Sequence, residues 1–152
     1  NYKMKKNLLL ITLTLLIYGC GYEPIVNNNY KELTIENIEL IEKNSLNNQI
    51  KKHLLFYSNP GKEKIYLTID SKKKIKVFSK DSKGNPSNYE MTIIVDVVLK
   101  KNNKNFSRSF SRNFVYGTRD NQFDLSQYER LVTRDLIDQI INKINIFIFL
   151  DS

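Results

Sequence analysis

Two side chains with the chemistry of a nucleophile, a general base or a soft metal ligand occur once each in the chain, Cys20 and His53. A thiol with no second thiol cannot close an internal disulfide, and a lone imidazole has no partner histidine with which to hold zinc. No glycine-rich phosphate loop or metal-ligand cluster accompanies them, and the spacing of the carboxylates does not pair them for acid–base work. The expectation is a protein that is not an enzyme, with no catalytic residue, no metal and no cofactor. What remains to be explained is the sulfur of Cys20, and a set of lysines and arginines whose chemistry is attraction for phosphate and carboxylate.

The residues ahead of Cys20 give its compartment. Lys3, Lys5 and Lys6 form a positive flank, Leu8 to Tyr18 form an apolar run of 11 residues, and Gly19 and Cys20 follow. This is the plan of an export signal, and a helix rising 1.5 Å per residue needs roughly 20 residues to cross a hydrocarbon layer of ~30 Å. Met4 is the expected initiator, which places Asn1, Tyr2 and Lys3 ahead of the gene's start. Ile17-Tyr18-Gly19-Cys20 resembles the lipobox of bacterial lipoproteins, with a branched apolar residue three positions before the cysteine and a small one directly before it. The plainer alternative is an ordinary signal peptide with a cysteine near its cleavage site. The resemblance implies cleavage before Cys20, a diacylglycerol thioether on its sulfur and further acylation of the new amino terminus. Two or three chains anchor stably, since each buried CH₂ contributes about 0.8 kcal/mol and one myristoyl chain binds only marginally. Gly21 stands where an aspartate would signal retention in the inner membrane, so the outer membrane is the expected address.

Without residues 1–19 the chain keeps 21 basic and 16 acidic side chains, a net charge of +5. Residues 20–60 sum to −1, residues 61–116 to +8 and residues 117–152 to −2, so the positive field belongs to the middle of the chain. Export excludes nucleic acid as the partner of that field and leaves the phosphorylated or carboxylated glycolipids of the envelope. The alternative is that the lysines solvate strands and blunt sheet edges.

At 152 residues with 17 Phe and Tyr, the chain supports one domain with a hydrophobic core. Residues 1–19 are the signal peptide, residues 20–32 a lipidated terminus and tether, and residues 33–150 the folded domain. Leu33 to about Ile41 alternates roughly and is β-branched, which predicts a first strand. Ser45 is an expected N-cap for a helix carrying Leu46, Ile50, His53, Leu54 and Tyr57, stopped by Asn59-Pro60-Gly61. His53 lies on or beside that apolar stripe and is expected to be partly buried and hydrogen-bonded. From Ile65 to Phe78 the odd positions are apolar except Ser71 and Lys73, which predicts one long strand bent there, as at a bulge, in preference to two short ones. Asp81 to Pro86 is a hairpin connection, Tyr89 to Leu99 the cleanest alternation in the chain, and Lys101-Asn102-Asn103-Lys104 a second turn. In the strand that follows, Phe106, Phe110 and Phe114 share a face with Arg108 and Arg112. The expectation there is that the rings enter the core while the arginines reach its rim on their long stems. Asp124 with Gln127 reads as a capping box for a long helix carrying Leu125, Tyr128, Leu131, Val132, Leu136, Ile140 and Ile144. The order β-α-β-β-β-α predicts an α+β fold: a two-layer α/β sandwich, with two helices on one face of a four-stranded, mostly antiparallel sheet.

Three stretches carry a resemblance to a known family: Cys20-Gly21-Tyr22-Glu23-Pro24, Tyr89-Glu90-Met91 opening a long Ile/Val strand, and Phe123 to Glu129 opening an apolar helix. In that order and spacing the chain resembles the lipopolysaccharide-assembly lipoproteins of the LptE family. The resemblance implies residence in the outer membrane with the domain facing the periplasm or a barrel lumen. It implies partnership with an LptD-type β-barrel that the domain plugs, and binding of lipopolysaccharide. In this sequence the family's glycolipid-binding places correspond to Lys80 and Lys83 in the hairpin and Arg119 in the loop before the last helix, with Lys72, Lys74 and Lys76 on the adjoining strand. The competing expectation is a lipid-anchored adaptor or inhibitor that serves another envelope machine.

Overall fold

The computed structural model describes residues 33–56, 61 and 63–150. The elements run β1 (Leu33–Leu40), α1 (Ser45–Phe56), β2 (Glu63–Lys80), β3 (Pro86–Lys101), β4 (Lys104–Gly117) and α2 (Gln122–Leu150). This is the expected order, and the four strands form one sheet in the order β1-β2-β3-β4. β2, β3 and β4 make an antiparallel meander, while β1 joins β2 in parallel through α1, so the sheet is mixed. A parallel neighbour needs a crossover, and α1 supplies it.

The uneven alternation of β1 has a local cause. Its register against β2 slips between Ile35 and Asn37, so that one extra residue is accommodated. A bulge of this kind reverses the phase of everything beyond it. Leu33 and Ile35 before it, and Ile38 and Leu40 after it, thereby all pack on or against the core.

β2 is a single strand, as expected, but the bulge expected at Ser71 to Lys73 is absent: its pairing with β3 is continuous from Tyr66 to Val77, and the register shifts fall at Ser79. Ser71 instead stays in phase because its hydroxyl has a partner, donating to Asn47 Oδ1 inside the core. The β3–β4 turn is tight, with both Asn102 (φ 48°) and Asn103 (φ 60°) in the left-handed region. Asparagine tolerates that region better than most residues, and a two-residue hairpin of this hand requires it twice.

Both helices cover one face. α1 meets it through Asn47 and Ser71, and α2 through Thr133, which lies beside Met91. The face presents Ile65, Leu67 and Ile69 from β2 and Met91, Ile93, Val95, Val97 and Leu99 from β3, all buried. Each such side chain contributes ~1.5 to 3 kcal/mol against exposure.

In α2, Leu125, Val132, Leu136, Ile140 and Ile144 are buried as expected, but Leu131 is 52% exposed. The stripe runs instead through Ile137, Ile141, Phe147 and Ile148, because α2 packs against α1 as well as the sheet. Both helix caps also differ from expectation. Asn44, not Ser45, accepts the Asn47 amide at 2.8 Å, and Asn121, not Asp124, accepts the Asp124 amide at 2.8 Å. Asp124 sits three residues inside the cap, where its carboxylate answers the Asn121 side-chain amide at 2.8 Å. Among the described residues no helix is long and apolar enough to cross a membrane.

Candidate functional site

Cys20, the signal and the tether lie outside the described residues, as do Tyr57 to Pro60, where α1 was expected to stop. His53 is half-buried as expected and bridges the two helices, its Nδ1 3.0 Å from an oxygen of Asp138. Among the described residues no group of three or more His, Cys, Asp and Glu side chains is placed to hold a metal ion.

The cationic residues fall in two places. Lys72, Lys74 and Lys76 alternate on the face of the sheet that carries no helix, about 6.8 Å apart along the strand. Lys72 approaches Asp70 at 3.7 Å and Lys76 meets Glu90 at 2.7 Å, while Lys74 has no ion-pair partner among the described residues. The Lys76 ammonium, with an Asn113 amide at 2.8 Å, holds the Glu90 carboxyl below its ordinary range.

Lys80 and Lys83 occupy the end of the β2–β3 hairpin, exposed and without ion pairs among the described residues. The turn that carries them is built on Asp81. Its Oδ1 accepts the Asn85 and Lys83 amides at 2.9 Å each, and Gly84 adopts φ +84° so that its own amide can reach the Asp81 carbonyl at 3.0 Å. Those amide donors, that of Asn85 foremost, hold the Asp81 carboxyl below its ordinary range.

Arg119, 36 residues beyond Lys83 in sequence, lies at the same end of the molecule. The Thr118 amide donates to the Ser87 carbonyl at 3.0 Å, which ties the β4–α2 loop to the base of the hairpin. The Arg119 guanidinium lies over the Tyr128 ring, 4.0 Å from its centroid, an attraction worth ~0.5 to 1 kcal/mol at an exposed site. The structure thus gathers Lys80, Lys83 and Arg119 at one pole and leaves Lys72, Lys74 and Lys76 on the adjoining open face.

Sequence reasoning missed what supports Arg119. Tyr128 packs at a tilt on Tyr116, which stacks on Tyr89, each neighbouring pair 5.9 Å apart. Tyr116 donates to Glu129 at 2.7 Å, and burial together with that bond pushes its hydroxyl pKa up. The three tyrosines come from β3, β4 and α2, and only the pairing of Tyr89 with Tyr116 could have joined them. Beside the stack, Phe114, Tyr128, Leu131, Val132 and Asp135 line an apolar groove of about 220 Å³. Phe114 is 43% exposed there, so of the three phenylalanines only Phe110 enters the core fully; it packs on Phe147, against which Arg108 also lies. Exposed ammonium groups attract anions, and the groove, which Arg119 reaches through Tyr128, offers apolar surface on the same molecule.

The architecture defines a class: a mixed four-stranded sheet with two helices on one face and the order β-α-β-β-β-α. That fold is shared by an uncharacterised lipoprotein B of Nitrosomonas europaea, whose solution structure aligns with a TM-score of 0.55 at 11% identity over 76% of this chain and 84% of that one. Crystal structures of the rare lipoprotein B of Shewanella oneidensis and of a minor lipoprotein of Acinetobacter baumannii also align. The first gives a TM-score of 0.47 at 17% identity over 76% of this chain and 99% of that one. The second gives 0.49 at 18% identity over 76% and 92%. No protein-family profile and no curated protein sequence matches the chain.

Proposed function

We propose that this chain is an outer-membrane lipoprotein, anchored through Cys20, that binds lipopolysaccharide and partners an LptD-type β-barrel in bringing it to the outer leaflet. The observation that carries the reading is the Thr118–Ser87 hydrogen bond, which brings the loop bearing Arg119 to the base of the hairpin bearing Lys80 and Lys83 and so puts the three cations at one end of the molecule. The export signal and lipobox resemblance ahead of Cys20 support the anchor. The fold shared with the Nitrosomonas europaea lipoprotein B fits a bacterial lipoprotein, and the step to the LptE family rests on the resemblance of the three sequence stretches. The role is binding and not catalysis, with no cofactor. Phosphates of the glycolipid meet Lys80, Lys83 and Arg119, and Lys72, Lys74 and Lys76 extend the attraction along the open face.

Lipopolysaccharide binding by the chain carrying Lys80→Ala and Lys83→Ala tests the site. The expected result is about tenfold weaker binding at low ionic strength, equivalent to ~1.4 kcal/mol, with the difference shrinking as salt is added. Equal affinity at low salt would overturn the site assignment. Purification of the lipidated chain in mild detergent tests the partner: a stable complex with a large β-barrel is expected, and isolation with a different envelope assembly would contradict it.

A further inference from the structure

β1 is shorter than the strand it joins. Its pairing ends at Leu40 opposite Ile69, with one last bond from the Ile41 amide to the Ile69 carbonyl at 3.1 Å, while β2 continues to Lys80. Beyond Ile69 one edge of β2 therefore has no strand paired to it among the described residues. In a strand the N–H and C=O of a residue point to the same side and successive residues alternate. The Ile69 carbonyl faces β1, and the β2–β3 register is unbroken to Val77, so Ser71, Lys73, Ile75 and Val77 turn their backbone groups to the bare edge.

We propose that the bare edge of β2 from Ser71 to Val77 accepts, as a fifth strand, an extended protein segment that alternates acidic and apolar residues. The alternation follows from the two faces that flank the edge. On the open face an added strand lies beside Lys72, Lys74 and Lys76, which select carboxylates. On the helix face it lies beside Ile75 and Val77, which are 41% and 42% exposed because α1 covers β2 no further than Ser71. A depression of about 660 Å³ lies on the open face beside this edge, lined by Lys74 and Lys76 of β2 and by Glu90, Thr92 and Ile94 of β3.

Edge lysines ordinarily keep sheets from pairing with copies of themselves. The same charges exclude a second copy here. Two β2 edges would bring both lysine rows together, and β4, at the other edge of the sheet, carries Lys104, Arg108 and Arg112 with no acidic residue. An acidic strand relieves that repulsion and satisfies the backbone groups together. The inference goes beyond the proposed lipid function, since its recognition element is the main chain of β2.

The test uses the folded chain and an acetylated, amidated eight-residue peptide that alternates glutamate and valine. Binding is expected to slow amide exchange at Ser71, Lys73, Ile75 and Val77 at least tenfold. Ile75→Pro removes an edge-facing N–H and no bond to β3, a position where strands tolerate proline. It is expected to weaken peptide binding at least tenfold while the circular dichroism and lipopolysaccharide binding stay unchanged. Should that variant fail to fold, Lys73→Glu with Lys74→Glu leaves the backbone intact and is expected to weaken the same peptide at least as much. A peptide N-methylated at alternate residues that binds as well as its parent would overturn the proposal, as would equal protection of the four amides by phosphatidylglycerol vesicles alone.

Discussion

Asn47 is fully buried, and both ends of its amide are engaged: Nδ2 donates to the Glu42 carbonyl at 2.7 Å and Oδ1 accepts from the Ser71 hydroxyl. Removing one partner of a buried pair exposes the other to the full desolvation cost, typically about 1 to 3 kcal/mol. Asn47→Ala is accordingly expected to lower the unfolding free energy by about that amount, measured by urea titration. In the sequence Ser71 reads as an interruption of the apolar face of β2, because its partner lies 24 positions away on another element and has no pattern of its own. His53 was legible as a bonded, half-buried side chain from its place on a helical stripe, although its partner Asp138 was not. Lys101 was read as part of a turn, yet it is buried at the sheet's end and forms an ion pair with Glu63 at 2.9 Å.

At the scale of elements, periodicity carried most of the information, and its failures have physical causes. β3 alternates cleanly because one face is covered along most of its length, whereas β1 looks irregular because a single bulge reverses its phase. The helix starts were misplaced because several residues able to cap stand together: Asn44 beside Ser45, and Asn121 near Asp124. Only geometry selects among them. Asn121→Ala is expected to lower stability by about 1 kcal/mol, as loss of a side-chain cap does. Ser45→Ala, which removes a hydroxyl that accepts from the exposed Gln49 amide at 3.3 Å, is expected to stay within about 0.5 kcal/mol of the parent. Thermal unfolding of the two variants side by side distinguishes the caps. The extent of the lysine row was legible from the alternation of β2, but its bare edge was not, since nothing in the sequence states how far β1 reaches.

Over the whole molecule, the two layers do not coincide. Over β2 the helix cover ends at Ser71, and the strand continues past it to the β2–β3 hairpin, carrying its charge away from the core. In the sequence the positive field lies between residues 61 and 116, and lipopolysaccharide is expected at Lys80 and Lys83 within it and at Arg119 beyond it. The fold supplies the spatial link, one hydrogen bond between loop and hairpin, that a linear reading cannot contain. The described domain begins at Leu33, paired with Glu63 at the end of the sheet away from the β2–β3 hairpin, an arrangement that suits the proposed work on an anionic lipid. The measurement that addresses this most directly is the quantity of lipopolysaccharide at the cell surface when the native bacterium is depleted of this chain. A fall in surface lipopolysaccharide is predicted, reversed by the parent chain and not by Cys20→Ala; normal surface levels in depleted cells would contradict the account.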